Sequence, residues 1–406
     1  MRTISVRTIM LLSGGIVALL GLMGMGCAQN ADEYNRNGPT LRVMTFNLED
    51  IRSEDLERLD HPRLLAAAAK IQELRPDILL LNEIAFDAPD GQNAGRFVES
   101  FLSRPMSESL DPIRYSTFMA PSNTGVSSGY DLNRDGLIVT DLPIIPESGP
   151  DGTPGEQTPE GRAYGNDSWG FVMFEGHYAF ALLVREGLTI KKEDVRTFQN
   201  YKWKDLTDPR PPVDPETGRS WYSDDVWTQF PLSSKSHWDV PVELKDGFVV
   251  HILASHPTPA AFDGPEMRNR LRNRAEIKFW GDYISGIPKQ DDSGAESAFP
   301  IDAAFIVMGD LNADPDEGSA IDDPVGTFLL SNARINSSFT PIAVSADLPE
   351  FDTLDPDDTA AWGMRVDYVL PSIHFEITGG VVDRSLTPGF VRVSDHFPVY
   401  LDLRIW

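Results

Sequence analysis

Cysteine is almost absent: Cys27 is the single one in 406 residues. That excludes an intramolecular disulfide and a thiolate metal cage. Basic residues are also scarce. The chain holds 35 Lys and Arg against 62 Asp and Glu, a net charge of −27. Such a field repels polyanions at long range and argues against tight binding of duplex nucleic acid. It does not exclude chemistry on phosphates, because bound metal ions invert the field locally; the plain reading of the excess acid is solubility or salt adaptation. No sequence repeat occurs. The longest apolar run, Ile9 to Met25, is short for a membrane span.

That run has the order of a secretory signal. Arg2 and Arg7 precede it, the small residues Gly26 and Ala28 follow, and Gln29 to Asn37 is polar. Gly24-Met25-Gly26-Cys27 also resembles a bacterial lipobox, whose cysteine is acylated after cleavage, although Gly24 stands where leucine is usual. The expectation is an exported protein in the periplasm, at the cell surface or outside, with a candidate lipid anchor to a membrane. Residues 1–28 read as the signal, 29–39 as a linker and 40–406 as one folded domain.

Hydrophobic periodicity predicts the elements of that domain. Leu41 to Asn47 alternates like a strand. His61 to Leu74 carries Leu64, Leu65, Ala68, Ile71 and Leu74 at helical spacing, and Pro76 stops it. Asp77 to Leu81 is a continuous apolar run, as in a strand buried on both faces. Further strands are expected at Tyr115–Ala120, Gly136–Thr140, Phe171–Phe174, Tyr178–Val184, Phe248–Ala254, Ala303–Met308, Met364–Leu370 and Phe397–Leu403. A helix is expected at Glu266–Ile284. The Pro- and Gly-rich stretch 143–169 reads as an exposed loop. Strand, helix, strand at the start suggests an α/β architecture.

Polar residues recur where these apolar strands end, the place where sites are commonly built. The first strand ends on Asn47-Leu48-Glu49 and the second on Asn82-Glu83. Ser255-His256-Pro257 follows the strand at 248, and Gly309-Asp310-Leu311-Asn312 follows that at 303. Asp367 lies in the strand near 366, and Ser394-Asp395-His396 precedes the last strand. Any one of these alone is also what a turn or a buried carboxylate looks like. Together they form a set of hard oxygen donors and imidazoles without sulfur, suited to Mg²⁺, Mn²⁺ or Ca²⁺ and to proton transfer.

In this order, Asn47, Asn82-Glu83, Gly309-Asp310-Leu311-Asn312 and Ser394-Asp395-His396 resemble the endonuclease/exonuclease/phosphatase superfamily over roughly residues 40 to 406. Leu232 to Val240 and Arg365 to Ser372 are similar to a bacterial secreted branch of it. The resemblance implies a four-layered α/β sandwich, two mostly antiparallel sheets flanked by helices. It implies a metal-dependent hydrolase with Mg²⁺, or Mn²⁺ or Ca²⁺, as cofactor. Glu83 would be the principal metal ligand, with Asn47, Glu49 and Asp395 around the metal. Asp310 and Asn312 would position the attacking water, His256 would assist the leaving oxygen, and His396 would contact the phosphate, held by Asp367. Asn82 departs from the commoner glutamine and is expected to alter only the bonding behind the site. Beyond these motifs, His237, Trp238, Arg268 and Arg272 are candidate substrate contacts, against packing roles for the first two and solvated ion-pairing for the basic cluster 268–274. A small organophosphate or a phospholipid head group is the expected substrate. A secreted nuclease or sphingomyelinase-like activity, and a non-catalytic binding descendant, are the alternatives.

Overall fold

The computed structural model describes residues 40–346, 351 and 353–405. The signal, lipobox and linker readings lie outside them. The strands are β1 Leu41–Ile51, β2 Ile78–Ile84, β3 Tyr115–Phe118, β4 Phe180–Arg185, β5 Thr189–Ile190, β6 Arg196–Thr197, β7 His237–Glu243, β8 Val249–Ser255, β9 Lys289–Gln290, β10 Glu296–Ser297, β11 Ala304–Asp310, β12 Ile342–Ala346, β13 Asp367–Pro371, β14 Phe375–Arg384 and β15 Val399–Ile405. The α-helices are α1 Pro62–Leu74, α2 Asn93–Phe97, α3 Pro159–Asn166, α4 Asp224–Gln229 and α5 Arg268–Ile284.

Apart from the two-stranded ribbon β10-β9, the strands build two mixed sheets. One runs β12-β14-β15-β1-β2-β4-β3; the other runs β13-β11-β8-β7-β5, with β6 also on β7. Val43, Leu80, Leu182 and Leu401 of the first sheet meet Trp238, Val240, Ile252 and Ile306 of the second in a buried layer. On the far side of the first sheet, Leu64, Ala68 and Ile71 of α1 pack on Met44, Phe46, Leu79 and Leu81. On the far side of the second, Ile277, Phe279, Trp280 and Tyr283 of α5 cover Leu253, Phe305 and Val307. Helix, sheet, sheet, helix is the expected four-layered sandwich. The continuous apolar run of β2 follows from it, since Leu79 and Leu81 face α1 while Ile78 and Leu80 face the other sheet.

Local signals fix the helix ends. The α1 helix starts on His61, whose Nδ1 accepts from the Leu64 amide, and stops at Arg75 in the left-handed region before Pro76. Within the expected loop 143–169, Thr158 caps α3 by accepting from the Gly161 amide, with Pro159 opening the helix.

Two expected strands are not formed. Gly136–Thr140 is a surface loop with Leu137 and Ile138 exposed; its Val139 amide donates to Asp167 Oδ2 and not to a neighbouring strand. Phe171–Phe174 belongs to a series of bends, in which the His177 amide returns to Phe174 O and the Gly176 amide to Thr124 O.

Topology brings the motifs to one rim. Strands β1 and β2 run parallel, as do β8 and β11, so each pair ends on the same side. Antiparallel neighbours begin where these end: Asp367 of β13 pairs with Asp310 of β11, and β15 enters beside Thr45 of β1.

Candidate active site

Asp310 is the centre of the rim. Its Oδ2 accepts from Asn47 Nδ2 at 3.0 Å and lies 3.4 Å from His256 Nε2 and 3.7 Å from His396 Nε2. Its Oδ1 accepts from the Asn312 amide at 2.9 Å, and Asn312 Nδ2 donates to Pro257 O at 3.2 Å. The backbone must turn sharply to present this carboxylate. Gly309 has φ +143°, and a Cβ there would stand 1.9 Å from Ser255 O. Only glycine fits.

His396 Nδ1 donates to Asp367 Oδ2 at 2.8 Å, and Thr359 Oγ1 donates to the same oxygen at 2.8 Å. The Trp362 ring meets His396 edge-on at 4.9 Å between centroids. Burial alone would lower His396, but Asp367 and Asp310 outweigh it and hold the imidazole well above its ordinary value. His396 is therefore a fixed imidazolium at neutral pH. His256 is the opposite case: burial, with the cation of Lys235 beside it, pushes it down to about 4, so it is neutral. Burial would raise Asp310, yet His396 and His256 hold it well below the usual carboxylate range.

A second group of acids stands beside Asp310. Glu83 Oε2 accepts from the Asp50 amide at 3.1 Å, and its Oε1 lies 3.9 Å from His256 Nε2. Glu49, Asp50 and Glu83 all occupy the left-handed region, with φ of 53°, 57° and 63°. Backbone strain of this kind persists only where the surroundings impose it. Here the buried Asp50 carboxylate is gripped by Arg52 Nη2 at 2.6 Å and His177 Nε2 at 2.7 Å. Burial, Asp310 and Asp395 push Glu83 up to about 7, although His396 opposes them. Burial and Asp395 likewise raise Glu49. Asn82 Nδ2 donates to Thr45 Oγ1 at 3.0 Å, behind the site as expected.

These residues fit a divalent cation. Ligand atoms of Glu83, His256 and Asp310 lie within 4.8 Å of one another; those of Asp310, Asp367 and His396 do too, but there the imidazolium of His396 already supplies the positive charge. Asp367 Oδ1 is buried without a hydrogen-bond partner. Glu83 and Glu49 are raised first by burial and then by neighbouring carboxylates, both of which a cation would offset, and the donors are mostly carboxylate oxygens.

The structure thus brings Asn47, Glu83, His256, Asp310, Asn312, Asp367 and His396 together, with Glu49 and Asp395 interacting at the edge. The four candidate substrate contacts are not part of this group. His237 and Trp238 are each 1% exposed. Both faces of β7 are covered: His237 donates from Nε2 to Glu276 O and packs on Phe279 and Trp280, while Trp238 packs on Phe118 and Phe180. Arg272 is buried and donates to the carbonyls of Leu232, Trp169 and Pro231. Arg268 donates to Asn166 O, and Arg274 pairs with Asp208 and Asp322. The basic cluster is thus spent on backbone carbonyls and local acids.

Two buried charged residues beside the site escaped the sequence reading. Glu276, fully buried in α5, accepts from the amide and hydroxyl of Ser234 and from the Thr258 amide. It ties the segment before β7 to the loop that carries His256. Lys235, held in that segment, is buried beside the site. The one available signal was a glutamate between Ala275 and Ile277 on a helix face that must be apolar.

The sequence profile of the Endonuclease/Exonuclease/phosphatase family matches residues 44–396. No match was found among curated proteins. Among solved structures, the chain is similar to the human Nocturnin catalytic domain with bound sulfate, at 16% identity, TM-score 0.45, covering 91% of this chain and 96% of that one. It is similar to an endonuclease/exonuclease/phosphatase from Beutenbergia cavernae, at 16% identity, TM-score 0.45, covering 90% and 72%. A mannosyl-6-phosphatase from Bacteroides thetaiotaomicron gives 14% identity, TM-score 0.41, covering 89% and 99%. The profile match spans most of the chain and contains every motif at the rim, from Asn47 to His396; the protein belongs to the endonuclease/exonuclease/phosphatase family of phosphoester hydrolases.

Proposed function

We propose that this protein is an exported hydrolase that depends on a divalent cation and cleaves small organophosphates or phospholipid head groups. The observation that carries the reading is the convergence of Asn47, His256 and His396 on one carboxylate, Asp310, beside Glu83. Glu83, with Glu49, Asp395 and Asn47 around it, would hold Mg²⁺, Mn²⁺ or Ca²⁺. When bound, such an ion neutralises the phosphate and polarises it.

The chain's own groups divide the remaining work. Asp310, ionised throughout the neutral range, accepts a hydrogen bond from the attacking water and aligns it, with Asn312 beside it. Neutral His256 donates from Nε2 toward the leaving oxygen. His396 offers Nε2–H of its imidazolium to a phosphate oxygen, while Asp367 fixes its tautomer and ring plane. The net charge of −27 supports small substrates over polynucleotides. Export rests on the order of residues 2–37. Partition of the mature protein into the detergent phase, lost in the Cys27→Ala precursor, supports the lipid anchor; aqueous partition removes it.

The deciding assay compares p-nitrophenyl phosphate, bis-p-nitrophenyl phosphate, DNA and sphingomyelin, each with Mg²⁺ and with EDTA. Metal-dependent cleavage of the small esters or of sphingomyelin supports the reading. Cleavage of DNA alone replaces it with a secreted nuclease, and no cleavage at all leaves a binding descendant.

A further inference from the structure

Lys235 is a buried lysine that forms no ion pair among the described residues; burial pushes its ammonium down, while Glu276, Glu83 and Asp310 favour the charged form. Its side chain is about 5% exposed, and its Nζ donates to Pro257 O at a long 3.4 Å. An ammonium has three donors, and leaving a buried cation so poorly bonded is costly. The nearest candidate partners are otherwise engaged. Glu276 already accepts three hydrogen bonds, from Ser234 N, Ser234 Oγ and Thr258 N. Glu276 first, then Glu83 and Asp310, act on Lys235 electrostatically, but none of them lies within ion-pair distance of it.

Its position is set by the site. Pro257 O accepts from both Lys235 Nζ and Asn312 Nδ2, so the ammonium and that amide flank one carbonyl. Pro257 follows His256, and Lys235 is the larger of two cations, with His396, that act on the His256 ring. Ser234 is clamped to Glu276 on α5, which also clamps Thr258, so the lysine and the histidine loop are fixed to the same anchor.

We propose that Lys235 contacts a non-bridging phosphate oxygen of the substrate and biases the site toward phosphomonoesters. This rests on the phosphoester reading above. A monoester dianion places more negative charge opposite Nζ than a diester monoanion does, and a buried point charge amplifies the difference. A lysine that only balanced Glu83 and Asp310 would favour the dianion far less, since it would lack the direct bond to the phosphate.

Calorimetric titration of inorganic phosphate and of dimethyl phosphate, in Mg²⁺, tests this without turnover. The wild-type protein should bind phosphate about tenfold or more tightly than dimethyl phosphate. Lys235→Met should shrink that ratio to roughly threefold or less, and Lys235→Arg should keep most of it. An unchanged ratio in Lys235→Met overturns the proposal. Should that variant fail to fold, equal affinities in the wild type overturn it alone, and a clear phosphate preference retained by Lys235→Gln does so as well. Failure of the hydrolase reading is separate: it shows as absent cleavage of both nitrophenyl esters, whatever the two anions do.

Discussion

His396 donates from Nδ1 to Asp367 Oδ2 at 2.8 Å, joining the loop before β15 in one sheet to the first residue of β13 in the other. The pair exists because β13 begins opposite Asp310 while β15 enters beside β1. Replacing Asp367 with Asn keeps the shape but removes the charge that sustains the imidazolium. The hydrolytic rate should fall by roughly two to four orders of magnitude. His396→Ala should cost at least as much. The double variant should cost little more than the worse single one, since residues that act as a unit are non-additive. Multiplicative losses in kcat would show that the two act independently.

Glu83 should dominate cation binding. Its carboxylate supplies charge, whereas the Asn47 amide supplies a dipole and is already bonded to Asp310 and to the Glu49 amide. Calorimetric titration of Mg²⁺ should show a larger loss of affinity for Glu83→Gln than for Asn47→Ala. Equal affinities would count against Glu83 as principal ligand.

The motifs were legible because each closes an apolar strand with polar residues, and the polar ends of β1, β2, β8 and β11 lie at the same rim. What was not legible depended on partners far away in sequence. Phe375–Arg384 contains Gly379-Gly380 and is mostly half-exposed, so its pattern is weak; pairing with β15 makes it a strand. For His237 and Trp238 the sequence left a pocket role open beside a packing role; in the fold α5 covers one face of β7 and the opposing sheet the other. Lys235 and Glu276 carry ordinary charges in sequence and acquire meaning only when burial brings them to the His256 loop.

Gly309→Ala should be among the most damaging single substitutions in the domain. The added methyl meets the Ser255 carbonyl in an adjacent strand, and φ of +143° is closed to alanine. A loss of at least about 3 kcal/mol is expected from combined strain and clash. Urea denaturation measures it, and a near-wild-type midpoint would show that the turn relaxes freely.

Acid should destabilise the fold through its buried neutral histidines. Burial pushes His237 down to about 3 and His256 down to about 4. An unfolded histidine titrates near 6.5. Between these values the unfolded chain binds protons that the folded chain refuses. The contribution of these two histidines is therefore complete above about pH 6.5 and falls as pH drops toward 3. His237→Gln retains a donor for Glu276 O and should flatten this part of the curve. Identical slopes in wild type and variant, from denaturation at several pH values, would exclude His237 as a source.

Cation dependence is the most direct test of the whole account. After exhaustive chelation with EDTA, hydrolysis of p-nitrophenyl phosphate and bis-p-nitrophenyl phosphate should be abolished, and added Mg²⁺, Mn²⁺ or Ca²⁺ should restore it. Glu83→Gln should need far more cation for the same recovery. Full activity in the chelated protein would contradict the account, since Glu83, Glu49 and Asp395 would then have no cation to hold.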